Sequence, residues 1–152
     1  MFTIELATPS DSPQIGTMIY QMECELWGDD VEQLCLQTFI ETSTELMKDD
    51  RYWVFKAVDA NRDMVGLLTV GQNAAIFAGG YFGEIMEVYI SQDLRSKGVG
   101  AALVEHAKAF SIAKGWKYLA VGAPSQPAWK KTLQFYLKCG FTEVGPKLEM
   151  PL

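Results

Sequence analysis

Apolar residues recur along this chain with two different periods, and the places where the period changes outline its elements. Thr3 to Ala7 alternates and reads as a first strand. Pro9-Ser10-Asp11-Ser12-Pro13 is a helix start signal: Ser10, Asp11 and Ser12 are candidate caps, and Pro13 suits the first turn. Ile15, Met18, Ile19, Met22 and Leu26 then recur at helical spacing, so the pattern predicts a helix to about Trp27, broken by Gly28-Asp29-Asp30. Helical spacing resumes from Val31 to Met47 through Leu34, Leu36, Phe39, Ile40 and Leu46, with Lys48-Asp49-Asp50 as a polar exit.

Tyr52 to Val58 is rich in aromatic and β-branched residues, Asp59 to Asp63 reads as a hairpin turn, and Met64 to Val70 is the returning strand. After the loop at Ala78-Gly79-Gly80, Tyr81, Phe82 and Gly83 open a strand that ends at Ile90. A helix follows Gly98, with Val99, Ala102, Leu103, Ala107 and Phe110 on one face, and stops near Gly115. Trp116 to Val121 is a further strand, Pro124 to Pro127 a loop, and Ala128 to Lys138 a short helix closed by Gly140. Phe141 to Val144 and Lys147 to Met150, separated by Gly145-Pro146, read as terminal strands. The predicted order is β-α-α-β-β-β-α-β-α-β-β. It describes a single α/β domain over residues 1–152, a mixed and largely antiparallel sheet flanked by helices, with one crossover around the helix after Gly98.

Chemistry concentrates at the strand-to-helix junction Arg95-Ser96-Lys97-Gly98-Val99-Gly100. A strand turning through glycines into a helix offers free N–H groups at the positive end of the helix dipole, a place for phosphate oxygens. Arg95 and Lys97 add mobile positive charge there. An ordinary turn with Gly98 as N-cap is the competing reading of the same spacing. No Walker loop is present, because no Gly-Lys-Ser/Thr follows, and Leu103 stands where a dinucleotide fingerprint needs glycine.

A second element changes the weight of the first. About forty residues on lies Phe135-Tyr136-Leu137-Lys138-Cys139-Gly140-Phe141. The pair R-x-x-G-x-G and Tyr-x-x-x-Gly-Phe, in this order and spacing, resembles the GNAT superfamily of N-acetyltransferases, most strongly over residues 82–145. The resemblance implies a GNAT-like fold and an acetyl-CoA donor whose pyrophosphate is held by Arg95, Ser96, Lys97, Gly98, Val99, Gly100 and Ala101. It also implies that backbone groups of Val88, Tyr89 and Ile90 pair with the pantetheine arm and supply an oxyanion donor.

Acetyl transfer to an amine needs a neutral amine, a donor to the developing oxyanion and a proton for the departing thiolate. The resemblance gives the last task to Tyr136; packing beside Phe135 and Phe141 is the alternative. Glu84 and Glu87 are the candidate bases. Glu84 lies eleven residues before Arg95, the spacing at which histone-acetylating members of the family carry theirs. In a regular strand the two face opposite sides, so only a bulge would bring both to one centre. Transfer of the proton through water, with neither carboxylate, is the other route. Where the family often has Asn, seven residues before the tyrosine, this chain has Trp129, so Ser125 or Gln126 is the substitute pantetheine contact. His106, the only histidine, reads as a helix-surface or boundary residue, and Cys139 as a packing residue.

Composition then narrows the partners. The chain has 152 residues and a net charge of −6. That balance disfavours nucleic acid and mildly favours a cationic acceptor. No apolar run approaches the roughly 18–20 residues of a membrane span. Cys24, Cys35 and Cys139 lack C-x-x-C spacing, which argues for a reducing compartment and against a zinc site or disulfide framework. With no secretory signal at Met1 to Glu5, a cytoplasmic location without membrane or metal is the expectation. Acidic residues at Glu23, Glu25, Asp29, Asp30 and Glu32 flank Trp27, and Trp27 with Glu23 is the candidate acceptor contact, an exposed acidic helix end being the alternative. The leading reading is direct transfer of an acetyl group to a primary amine of a small molecule or peptide. The runner-up is a non-catalytic acyl-CoA-binding or regulatory domain, and a third is an interaction module whose Gly98 loop binds nothing. A homodimer is frequent in the family.

Overall fold

Alternating strand residues divide the apolar set between two sheet faces, and helices cover both. The computed structural model describes residues 1–28 and 33–152. Its elements are β1 (Phe2–Leu6), α1 (Ser12–Trp27), α2 (Leu36–Met47), β2 (Tyr52–Asp59), β3 (Met64–Ala75), β4 (Gly80–Ile90), α3 (Val99–Ala113), β5 (Leu119–Val121) and α4 (Lys130–Lys138). Short 3-10 turns at Pro9–Asp11 and Gln92–Leu94 were not foreseen. The five strands lie in the order β1-β2-β3-β4-β5, antiparallel throughout except for the parallel β4–β5 pair. This is the single mixed α/β domain expected.

On one face Phe55, Leu68, Val70 and Ile85 pack against Val99, Leu103, Val104 and Ala107 of α3. On the other, Val54, Leu67 and Tyr89 pack against Ile15 and Met18 of α1. Each of these side chains is buried, and each stabilises the fold by about 1.5–3 kcal/mol through area removed from water. The β2–β3 turn is held by Asp59, whose carboxylate accepts from the N–H groups of Asn61 (2.9 Å) and Asp63 (3.0 Å).

Three boundaries differ from the pattern. β3 runs on to Ala75 because Gln72, Asn73 and Ala74 pair with Gly83, Phe82 and Tyr81, and polar side chains there hid the strand. β5 is shorter, since Trp116 turns into the core and donates from Nε1 to Gln72 Oε1 at 3.1 Å. The start expected for the second helix, Val31, lies outside the described residues, and α2 begins at Leu36.

The two terminal strands do not form. Residues 142–152 belong to no strand, and Val144, Leu148 and Met150 are exposed. A strand needs a ladder partner as well as an alternating sequence. Here the tail meets the sheet through a side chain instead: Lys147 lies over Gly122, just past β5, and reaches Glu84 of β4.

β4 carries a bulge. Thr69 faces Glu87 and Val70 faces Ile85, so Met86 is an extra residue between them. Glu84 faces Gly71, two residues from Thr69 on β3. Residues two apart on a strand share a face, so the bulge brings Glu84 and Glu87 to the same side.

Candidate active site

The junction between β4 and α3 is built as a cradle. Gly98 caps α3 at φ +88°, a conformation that costs L-residues, and no side chain caps the helix. Ser96 is also left-handed, at φ +61°. The first-turn N–H groups of Val99, Gly100 and Ala101 lack intrahelical partners by construction. The space where a Cβ on Gly98 would stand is open. Gly100 has a second reason to be glycine: a Cβ there would lie 3.1 Å from the Phe135 ring of α4. These residues fit a diphosphate.

Beside the cradle, the sheet opens. The parallel ladder joins only Gly83, Glu84 and Ile85 to Leu119, Ala120 and Val121. From Met86 to Ile90, β4 has no strand partner on that side among the described residues. Val88 and Ile90 turn into the α3 core and Tyr89 beneath α1, so the open edge is main chain. The Ile90 carbonyl already accepts from Arg95 Nε at 3.0 Å.

The two carboxylates have different surroundings. Glu84 is engaged by Asn73 Nδ2 at 2.7 Å and by Lys147 Nζ at 3.7 Å. Glu87 is half-buried. Its Oε2 accepts from Tyr52 Oη at 3.0 Å and from the Thr69 hydroxyl, and its N–H donates to Thr69 Oγ1 at 3.0 Å. Oε1 has no partner among the described residues. Burial and the neighbouring carboxylate push the Tyr52 hydroxyl well above its ordinary range, so it remains a donor.

Arg95 is not free. Its Nη2 pairs with both carboxylate oxygens of Glu25 on α1, at 2.9 and 2.7 Å, and its guanidinium lies 5.3 Å from the centre of the Tyr89 ring. Lys97 lines a cavity of about 390 Å³ with Phe2, Asp59, Leu94 and Val99. A second cavity, of about 460 Å³, is lined by Tyr20, Cys24, Glu25, Tyr89, Ser91 and Gln92.

Tyr136 is buried on α4 between Phe135 and Phe141 and bonds to no side chain among the described residues. Burial pushes its hydroxyl up to about 12, so it keeps a proton at neutral pH. Trp27 donates from Nε1 to Glu23 Oε2 at 2.7 Å at an exposed helix end. Asp29, Asp30 and Glu32 lie outside the described residues. Gln126 spends its amide on the carbonyls of Pro124 and Trp129, closing its own loop. His106 is exposed on α3, its ring edge-on to Phe55. No group of three potential metal ligands occurs among the described residues.

Tyr52 and Thr69 escaped the sequence reading, and Glu25 stood in it only among the acidic residues around Trp27, not as the partner of Arg95. Each acts through a partner 18 or more residues away, across strands or between layers. No local spacing announces such a pair.

A model of the acetyltransferase (GNAT) family matches residues 16–141. No curated protein matches the chain. Among solved structures, a transcriptional regulator from Bacillus halodurans C-125 is similar over 100% of both chains, with 22% identity and a TM-score of 0.80. An aminoglycoside acetyltransferase from an uncultured soil metagenomic sample covers 100% of this chain and 99% of its own, with 18% identity and a TM-score of 0.78. A ribosomal-protein-alanine N-acetyltransferase from Brucella melitensis biovar Abortus 2308 does likewise at 16% and 0.77. At these identities the likeness is one of fold.

Proposed function

The chain belongs to the acetyltransferase (GNAT) family, and on that footing we propose that it moves an acetyl group from acetyl-CoA to a primary amine of a small molecule or peptide by direct transfer. The observation that carries the reading is the uncapped N-terminus of α3, with Gly98 left-handed and open, beside the unpaired main chain of β4.

Main-chain N–H groups of Val99, Gly100 and Ala101, with Arg95, Ser96 and Lys97 around them, are the diphosphate holders of this reading. The exposed edge of Val88 to Ile90 is its docking line for an extended arm and its oxyanion donor. The donor, when bound, supplies a thioester carbonyl. Glu87 takes the proton from the attacking amine through Oε1, because Oε2 is occupied by two hydroxyls. Glu84 keeps its contacts to Asn73 and Lys147. Tyr136 holds a proton for the departing sulfur. Trp27 and Glu23 form an aromatic and acidic contact for a cationic acceptor.

No helix among the described residues is long and apolar enough to cross a membrane. Cys24, Cys35 and Cys139 are free thiols, which supports a reducing, cytoplasmic setting. A homodimer belongs to the same reading, and sedimentation velocity reads it directly.

Release of free thiol from acetyl-CoA across a panel of aminoglycosides, polyamines and peptides tests the proposal. Turnover with at least one amine is expected. A protein that binds coenzyme A yet releases thiol with none of them is an acyl-CoA-binding domain instead.

A further inference from the structure

We propose that Glu25 is a carboxylate shared between two ligands: it pairs with Arg95 until a diphosphate claims that guanidinium, and then turns to hold a cationic group of the acceptor in the neighbouring cavity. The inference rests on the acetyltransferase reading and adds to it a substrate feature, a second ammonium beside the reacting amine.

The geometry is specific. Glu25 Oε1 accepts from Tyr89 Oη at 2.9 Å, Gln92 Nε2 at 3.0 Å and Arg95 Nη2 at 2.9 Å, and Oε2 takes Arg95 Nη2 at 2.7 Å. Arg95 therefore spends Nη2 on Glu25 and Nε on the Ile90 carbonyl. The same arginine opens the cradle at Gly98. A diphosphate carries more charge than a carboxylate and matches the planar guanidinium as well, so it competes for Arg95 on favourable terms. Retaining Glu25 against that arginine would set two anions side by side.

The cavity gives the released carboxylate a use. Glu25 is the only formally charged group among the described residues lining that space of about 460 Å³. While Arg95 neutralises it, the wall carries no net charge; once Arg95 turns away, the wall carries −1 and is edged by Tyr20 and Tyr89, whose rings also suit a cation. Tyr89 and Gln92 remain as donors to hold the carboxylate in place. Tyr89 is two residues from Glu87 on the same sheet face, so the cavity wall at Tyr89 lies two strand residues, roughly 7 Å, from the proposed base. The amine that attacks must be neutral, and the group that Glu25 holds is a second, charged one.

The full chain is titrated with coenzyme A, wild type against Glu25→Gln, in a calorimeter. The amide replacement retains an oxygen acceptor for Tyr89 and Gln92, removes the charge, and replaces the second oxygen facing Arg95 by an NH2 donor. Because Arg95 no longer has to be won from a carboxylate, coenzyme A should bind about fivefold more tightly, the order of a half-exposed ion pair. Equal or weaker binding in the variant overturns the inference and leaves the acetyltransferase reading standing. Absence of binding in the wild type removes both.

Carboxyl NMR of the wild type reads the release itself. Burial raises the Glu25 carboxyl, but hydrogen bonds from Arg95, Gln92 and Tyr89 outweigh it and hold the group below the usual carboxylate range. Its titration should move upward when coenzyme A is added, and an unmoved titration contradicts the exchange. With whichever amine turns over, Glu25→Gln should raise the acceptor KM at least threefold while kcat stays within twofold; an unchanged KM overturns the acceptor role.

Discussion

Tyr52 donates from Oη to Oε2 of Glu87 at 3.0 Å, across the intervening strand β3. Thr69 of that middle strand donates to the same oxygen. The two hydroxyls fix the carboxylate, and Oε1, without a partner among the described residues, is the oxygen that the proposed reading gives to the amine. Removing the Tyr52 donor costs the charged form of Glu87 a hydrogen bond worth roughly 1.5–3 kcal/mol. Tyr52→Phe is therefore expected to lower kcat/KM about tenfold. Thr69→Ser, which keeps the hydroxyl, should leave kcat/KM within about twofold. A Tyr52→Phe enzyme with unchanged kcat/KM would detach Tyr52 from the chemistry.

The two carboxylates on the bulged strand separate cleanly by substitution. Glu87→Gln should reduce kcat by 10²–10⁴, the range of a positioned general base, with the melting temperature little changed. Glu84→Gln, whose oxygens already serve Asn73 and Lys147, should change kcat by less than about threefold. The reverse ranking would transfer the base to Glu84.

Tyr136 offers a test of the leaving-group step. Tyr136→Phe retains the ring between Phe135 and Phe141 and removes one proton donor. A fall in kcat of about 10²-fold with coenzyme A affinity within twofold is expected. Full activity in the variant returns Tyr136 to the core as a packing residue.

Away from the site, Lys56 of β2 donates to Asp11 Oδ1 at 2.9 Å with little solvent around either group. Burial raises the Asp11 carboxyl, but the hydrogen bonds from Lys56 and the Thr8 N–H outweigh it, so its pKa is lowered. A lowered carboxyl contributes stability above its unfolded value, near 3.9, and loses that contribution as pH falls through the folded value. Asp11→Asn should cost about 1–2 kcal/mol at pH 7 in a denaturant titration. The gap between variant and wild type should close as pH falls through the folded Asp11 value, which lies below the unfolded one. A gap that persists there would mean that packing, and not charge, holds the start of α1.

How much of this was legible depended on range. The periods of two and 3.6 located the middle strands, α1 and α3, because Val54, Phe55, Leu67 and Leu68 are sorted by face and Leu103 and Ala107 by helical turn. The Gly98 cradle was legible because it is local: six consecutive residues encode it. The terminal strands were misread because the alternation of residues 141–150 says nothing of whether a sheet edge lies within reach. Bulge placement at Met86 was open for the same reason, since it depends on register against Thr69 and Val70. The Glu25–Arg95 pair joins two layers 70 residues apart in sequence, and neither residue's neighbours distinguish it from an exposed charge.

The central claim is that the amides at the start of α3 receive a diphosphate. Titration of the uniformly ¹⁵N-labelled chain with coenzyme A reads those amides one at a time. The largest shifts are expected at Gly98, Val99, Gly100 and Ala101, together with the Arg95 side-chain Nε–H. Saturating coenzyme A that leaves these five signals in place contradicts that claim.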